Sequence, residues 1–291
     1  MRVKALLAAL LLAIASATAL AQGVEAQAAV VDGVQMPAWR ERDGKRAPLV
    51  PGMELRAGDR IISGNDARVL VKLSEGSVVK LGENGTLRLA EMRPTRELFR
   101  AALQVLEGAF RFTTDLAAKA RKRDVSVRVE QVTIGIRGTD FWGRARAGRQ
   151  IVCLIEGAIQ VAAPGERPLA MDQPRQFYQR EQGRAQPLGF VEAAQLEQWS
   201  REVEIEAGKG ALRSGGRFGV QLAAGDTRDA LAPLQEQLAA AGYGTQIDPS
   251  EDARQAPFVL RIRHLPSREE AQALAGRLNG RFGITDPVVL Q

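Results

Sequence analysis

Few residues in this chain could support catalysis. Cys153 and His264 are the only cysteine and the only histidine, and they lie far apart in the sequence. Zinc binding or Cys-His nucleophilic chemistry requires several such groups close together. Glu107 and Glu156 each precede a glycine and have the setting of turn residues, so no carboxylate pair suited to glycoside hydrolysis stands out. The sequence therefore predicts a protein that is not an enzyme and has no metal or cofactor, with His264 at a solvated strand end.

Binding chemistry is concentrated near the C-terminus. In the apolar runs 218–222 and 258–263, alternate positions are held by Gln221 and by Arg261 and Arg263. Successive strand residues point to opposite faces, so these three side chains are predicted to share the open face of a sheet. One amide and two guanidinium groups can hydrogen-bond sugar hydroxyl and acetamido groups. The alternative is that the arginines only solvate the sheet.

A second polar motif, Ile136-Arg137-Gly138-Thr139-Asp140-Phe141, lies between two β-patterned runs. Gly138 suits an unusual backbone angle, and Thr139 or Asp140 can cap a turn without any ligand. We favour this structural interpretation. In the alternative, Arg137 and Asp140 belong to a partner-binding surface.

Short alternating strands surround that motif. Glu75-Gly76 predicts a hairpin turn, Asn84-Gly85 predicts the next tight turn, into residues 86–89, and 106–112 and 155–161 predict two further strand–turn–strand units. This pattern, with almost no helical signal, predicts an antiparallel all-β sandwich or roll. Cys153 lies in an apolar run and is expected to be buried.

A helical pattern follows from Phe190. Leu196, Trp199 and Val203 share one face, which predicts that the helix docks on the β domain. The Gly-rich segment 208–216 has the composition of a flexible interdomain linker.

The last segment predicts a small α+β unit with the order βαββαβ. Strands are expected at 218–222, 245–248, 258–263 and 287–290, and the first helix at 226–241. The second helix is expected to begin at Ser267, with Glu270 three residues later completing a capping box.

The N-terminus has the layout of a cleavable secretory signal. Basic residues precede the apolar run 5–15, and the small-residue site Ala19-Leu20-Ala21 precedes Gln22. We expect residues 1–21 to be removed, which leaves a periplasmic protein with no stable membrane span. The alternative is a retained anchor. Residues 22–47 are predicted to be a loose lead-in with one edge strand, because Pro37 interrupts the segment.

Charge is distributed unevenly along the chain. The formal net charge is +6, and residues 216–291 hold eight Arg against nine Asp and Glu, a net of −1. Removal of Arg2 and Lys4 leaves +5 on residues 22–215. A basic exported surface favours anionic envelope polymers, although it can also be a solvated face, and nucleic acid is not an expected partner.

Two resemblances rest on these motifs. Residues 48–163 resemble a FecR domain through the Gly58-Asp59 turn, the strands 67–73 and 76–81, and the Arg137-Gly138-Thr139 signature. Residues 217–291 resemble a SPOR domain. Its supporting residues are Phe218-Gly219-Val220-Gln221, Ala241-Gly242-Tyr243 and Ser267-Arg268-Glu269-Glu270-Ala271.

The SPOR resemblance implies binding of peptidoglycan glycan strands stripped of stem peptides, with Gln221 at the position of the family's β-sheet glutamine. The chain departs from the family pattern at three positions. Ala223-Ala224-Gly225 replaces Gly-Ser-Phe, Val259 replaces a basic residue, and Arg263-His264-Leu265 replaces Gly-Pro-Phe.

Together these features predict an exported, non-catalytic envelope protein in three parts. We expect an all-β FecR domain at 48–165, an extension with an amphipathic helix and linker at 166–215, and a SPOR domain at 216–291. The FecR domain would present a surface for an envelope protein partner, and cell-division sites are one location open to such a protein. The alternative is a periplasmic accessory of FecR-type signal transduction that regulates a sigma factor.

Overall fold

The computed structural model describes residues 28–95, 97–114, 122–250 and 256–291, and the side chain of Arg137 is outside this description. The predicted secretory signal and the alternative anchor fall on residues 1–21, outside the described part. Among the described residues, no helix combines the length and the apolar character needed to cross a bilayer.

The first seventeen strands form one continuous sheet, which makes the described chain mostly β. They are β1 Ala29–Gln35, β2 Ala38–Arg42, β3 Lys45–Pro48, β4 Glu54–Leu55, β5 Arg60–Ser63, β6 Arg68–Leu73, β7 Val78–Leu81, β8 Thr86–Pro94, β9 Leu98–Thr113, β10 Lys122–Val129, β11 Val132–Arg146, β12 Arg149–Ala162, β13 Leu169–Met171, β14 Gln176–Glu181, β15 Arg184–Ala185, β16 Gly189–Phe190 and β17 Leu212–Arg213. β10 runs parallel to β9, and the other pairings described are antiparallel.

The Glu75-Gly76 hairpin is confirmed, whereas the turns predicted at Glu107-Gly108 and Glu156-Gly157 are wrong. Those pairs lie inside the long strands β9 and β12, at points where the pairing register shifts. Gly108 has φ +89° and Gly157 has φ +84°. A positive φ suits a β-bulge as well as a turn, so the same residues bend a continuous strand instead of reversing it.

The lead-in prediction is also wrong, because residues 29–48 form three strands of the sheet. β1 pairs with β6 along its length, and also with β4 and β17. Val31 and Val34 are fully buried. Pro37 lies between β1 and β2, where it removes no ladder hydrogen bond, so it does not prevent strand formation.

The predicted docking of the linker helix is confirmed. Helix α1, Ala193–Arg201, places Trp199 parallel to the buried Trp142, with ring centroids 4.6 Å apart and an interplanar angle of 11°. Phe177 meets the edge of Trp199 at 6.5 Å. The buried Cys153 belongs to the same apolar cluster, and burial raises the pKa of its thiol to about 12.

The segment expected to be a flexible linker is held by hydrogen bonds. The backbone N–H groups of Gly208, Gly210 and Ala211 donate to the Glu270 carboxylate at 2.6, 2.7 and 3.1 Å. The adjacent strand β17 pairs with β1. Ser267 caps its helix as predicted, but the Glu270 side chain binds this segment. Glycine composition therefore indicated backbone freedom that long-range contacts remove.

The C-terminal unit has the element order strand, helix, strand, strand, helix, strand. These are β18 Phe218–Gly225, α2 Arg228–Ala240, β19 Gln246–Pro249, β20 Phe258–Leu265, α3 Arg268–Leu278 and β21 Val288–Leu290. The sheet order is β19-β20-β18-β21. Both helices pack on one face, where Val220, Leu260 and Ile262 are buried against Leu238 and Leu274.

Candidate functional site

The structure brings Gln221, Arg261 and Arg263 together on the sheet face opposite the helices, here called the open face. Gln221 lies directly across from Arg261 in the β18–β20 ladder. Arg263 is two residues further along the same strand, so it projects to the same side. Alternation of polar and apolar residues was sufficient to predict this arrangement.

Asp248, which sequence reasoning missed, lies beside both arginines. Its Oδ2 is 3.3 Å from Nε of Arg261. The same oxygen accepts hydrogen bonds from Nε and Nη2 of Arg263, at 3.1 and 2.9 Å. One carboxylate thus serves two guanidinium groups, and these three residues together carry a net charge of +1.

The two arginines differ in how much of each side chain reaches solvent. Arg261 is only 11% exposed, and its Nη2 also donates to the carbonyl of Pro249 at 3.3 Å. Arg263 is 45% exposed. A guanidinium group has five N–H donors, and Asp248 accepts from two of those on Arg263. Arg263 therefore has the greater capacity to bind a ligand.

An apolar side chain borders the open face. Val288 lies across from Gln221 in the β18–β21 pairing and is 52% exposed. An exposed valine beside an amide and two guanidinium groups gives the face both apolar and hydrogen-bonding character. That combination suits a sugar, which has apolar ring faces and polar rims.

His264 follows Arg263 and takes a left-handed backbone conformation with φ +70°. A Cβ added to Gly216 would lie 2.4 Å from its carbonyl group, so the chain passes closely at this point. Burial lowers the pKa of His264, and the positive charge of Arg263 lowers it further. The imidazole is half-buried, so the predicted solvated strand end holds only in part.

Asp140, the described member of the other predicted site, is engaged internally. Its carboxylate accepts from Nε and Nη2 of Arg111 at 2.9 and 2.6 Å, and from the Thr113 hydroxyl at 3.2 Å. Hydrogen bonding to Asp140 raises the pKa of Arg111. The side chain of Arg137 lies outside the description, so partner binding by this pair stays a prediction.

The rest of that motif supports the structural interpretation. The register of the β11–β12 pairing shifts between Arg137 and Asp140, opposite the β-bulge at Gly157. A Cβ on Gly157 would lie 2.3 Å from the carbonyl oxygen of Gly138, so only glycine fits. The Thr139 hydroxyl donates to the carbonyl of Ala158 at 2.9 Å. The motif thus joins two facing bulges.

Contacts between the two domains lie on the helix side of the C-terminal unit. Nε1 of Trp39 donates to the carbonyl of Ala240 at 3.2 Å, and Nη2 of Arg277 donates to that of Met36 at 2.9 Å. A Cβ on Gly242 would lie 2.7 Å from the Trp39 ring. Among the described residues, these contacts use the helix side and not Gln221, Arg261 or Arg263.

Comparison with known proteins matches the two parts of the chain to separate families. Residues 59–160 match the FecR protein family, and residues 214–291 match the SPOR domain family. No curated protein matches the chain.

Two crystal structures of a proposed anti-sigma factor from Parabacteroides distasonis ATCC 8503 are similar to the chain, each with 16% identity and a TM-score of 0.40. The match to the 2.50 Å structure covers 75% of this chain and 89% of the chain in that structure. The match to the 1.65 Å structure covers 80% of this chain and 98% of the chain in that structure. With the two family matches in place, the chain carries a FecR domain followed by a C-terminal SPOR domain.

Proposed function

We propose that this protein binds peptidoglycan glycan strands through the open face of its SPOR domain and thereby holds its FecR domain close to the cell wall. The SPOR family match supports the ligand class. The observation that carries the proposal is the direct register of Gln221 with Arg261, with Arg263 on the same side.

The chemistry of these residues suits a weakly anionic polysaccharide. The amide of Gln221 can donate to and accept from sugar groups, whereas the guanidinium of Arg263 offers donors to hydroxyl and acetamido oxygens. Val288 provides apolar contact beside them. Since Ala223-Ala224-Gly225 offers no side-chain hydroxyl, these residues must supply most of the recognition.

The domain arrangement supports a wall-facing orientation. Helices α2 and α3 carry the interdomain contacts of Ala240 and Arg277, while the open face lies on the opposite side of the SPOR sheet. A glycan strand bound there would not displace the FecR domain. The FecR domain is then available to an envelope protein partner.

In this proposal the protein is exported, is periplasmic and is not an enzyme. Export depends on the secretory signal at residues 1–21. Mass spectrometry of the purified protein should find an N-terminus near Gln22. Incubation of the protein with purified sacculi should release no soluble muropeptides above buffer, and release above buffer would indicate a hydrolase.

The second candidate function is an accessory role in FecR-type signal transduction that regulates a sigma factor, which the FecR match at 59–160 favours. This role would require a retained N-terminal helix in place of cleavage. An intact N-terminus in the membrane fraction, together with altered sigma-dependent transcription on gene deletion, would support it. Cleavage near Gln22 would count against it.

The direct test is co-sedimentation of the chain lacking residues 1–21 with sacculi, either untreated or pretreated with amidase to remove stem peptides. The combined variant Gln221→Ala, Arg261→Ala and Arg263→Ala should lose retention. Arg268→Ala is the matched control, because Arg268 is an exposed arginine of the same domain on the helix side. If the wild-type chain sediments no better than an inert protein, the proposed function is wrong.

A further inference from the structure

The carboxylate of Asp248 is the described acidic group in contact with the guanidinium groups of the open face. It lies within β19, opposite Val259 in register, and its side chain is 23% exposed. It contacts Arg261 and Arg263 through a single oxygen, Oδ2. Neither arginine is therefore an independent surface charge.

This geometry has two consequences for binding. Charge-assisted hydrogen bonds fix the direction of a guanidinium plane, so the donors that remain free point in defined directions. The shared carboxylate also cancels half of the positive charge of the two arginines, which reduces their attraction for polyanions. Long, unpaired arginines would attract any anionic polymer and would give little directional selectivity.

Building on the proposed function, we infer that Asp248 is a positioning residue that makes the open face selective for weakly anionic glycan strands over highly charged polyanions. Its carboxylate orients the guanidinium group of Arg263 towards hydroxyl and acetamido oxygens. It also partly neutralises the positive charge of Arg263, which weakens the attraction of highly anionic ligands. Asp248 itself does not touch the glycan. The contact is made through the two arginines that it holds.

The test measures two ligands side by side, amidase-treated sacculi and heparin, with the chain lacking residues 1–21. Asp248→Ala should weaken retention by sacculi about fivefold, the upper effect of one partly exposed ion pair. The same substitution should strengthen heparin binding about threefold at low salt and make it more sensitive to salt, because positive charge is released. Effects of opposite sign on the two ligands separate positioning from general loss of structure.

Two further variants complete the design. Asp248→Glu keeps the charge and should restore most of the sacculus binding, and Glu236→Ala removes an exposed carboxylate on α2 as a matched control. The inference is overturned if Asp248→Ala changes neither ligand, or if it weakens both equally. A wild-type chain that does not bind sacculi would refute the proposed function, while the heparin measurements would still report the charge effect of Asp248.

Discussion

Asp140 in the FecR domain and Asp248 in the SPOR domain each bind arginine on a β-sheet, but they leave different hydrogen-bonding capacity unused. Asp140 binds Arg111 in a bidentate pair and also accepts from Thr113, and the pair is mostly buried. Asp248 is shared by two arginines, one of them 45% exposed. In the arrangement around Asp140, here called the closed cluster, the carboxylate and its arginine bind each other within the domain. In the arrangement around Asp248, guanidinium N–H donors remain for a ligand.

The surroundings reinforce this difference. Near Asp140, Glu204 lies 3.5 Å from Arg111 and 2.5 Å from Lys80, so two cations and two anions balance within the cluster. The open-face group keeps a net charge of +1. Similar residue types therefore stabilise a fold in one domain and are available for recognition in the other.

The largest predicted effect is on stability at the closed cluster. Asp140→Ala should lower the free energy of unfolding by about 3 kcal/mol, because it leaves a mostly buried arginine without its partner. Asp248→Ala should cost less than about 1 kcal/mol, since its ion pairs are more exposed. Urea unfolding followed by tryptophan fluorescence in a Trp39→Phe background reports the Trp142–Trp199 pair and so measures the FecR domain, and unfolding followed by circular dichroism covers the whole chain.

Two variants control this measurement. Asp140→Asn keeps the shape of the side chain and should cost about half as much, since hydrogen bonds to a neutral group are weaker. The double variant Arg111→Met with Asp140→Leu should recover most of the lost stability, because no charge is left unpaired. Equal costs for Asp140→Ala and Asp248→Ala would contradict the distinction between the two sites.

The single cysteine provides a second prediction. Cys153 is fully buried, and burial raises its pKa to about 12, so it reacts with thiol reagents only when the FecR domain opens. Asp140→Ala should speed its labelling by up to about a hundredfold, the factor that corresponds to roughly 3 kcal/mol. Asp248→Ala should leave the rate unchanged. A rate that rises in both variants would mean that the two sites are not energetically separate.

The single histidine provides a third and smaller prediction. Because Arg263 helps to lower the pKa of His264, Arg263→Ala should raise it towards the ordinary value of 6.5. Asp248→Ala should lower it further, since the charge of Arg263 is then unopposed. NMR titration of the only imidazole measures both shifts, and shifts in the reverse directions would contradict the proposed electrostatics.

The same histidine predicts a weak pH dependence of stability. Its pKa in the folded chain lies below that in the unfolded chain, so the unfolded chain binds the proton more tightly. The neutral imidazole of His264 makes its full contribution to the free energy of unfolding above pH 6.5. This contribution is lost as the pH falls towards the pKa of His264 in the folded chain. His264→Asn should remove this dependence and tolerate the left-handed backbone, because asparagine adopts positive φ readily.

Local patterns were sufficient to predict several features of the structure. Polar and apolar residues alternate along β18 and β20, and this alternation predicts the sheet face on which Gln221 and Arg261 lie. The apolar stripe through Trp199 likewise predicts which side of its helix docks on the β domain. Both features depend on the period of one strand or helix, which the sequence displays directly. They therefore needed no knowledge of neighbouring elements.

Other features depend on pairing between distant segments and could not be predicted. Gly108 and Gly157 signal a positive φ, which is compatible with a turn or a bulge, and only pairing with other strands decides between them. Asp248 becomes a partner of Arg263 because β19 pairs with β20, although no motif marks it. The order of the Gly-rich segment likewise depends on Glu270, far along the chain.

The measurement that tests the account most directly is retention on amidase-treated sacculi. The chain lacking residues 1–21 should bind, Arg268→Ala should bind equally well, and the variant with Ala at 221, 261 and 263 should bind at least about tenfold more weakly, the effect of losing roughly 1.4 kcal/mol. All three proteins should unfold cooperatively, with the triple variant less stable by no more than about 1 kcal/mol because Asp248 loses its two arginine partners. Retention of the folded triple variant at the wild-type level would contradict the assignment of the open face as the glycan-binding site.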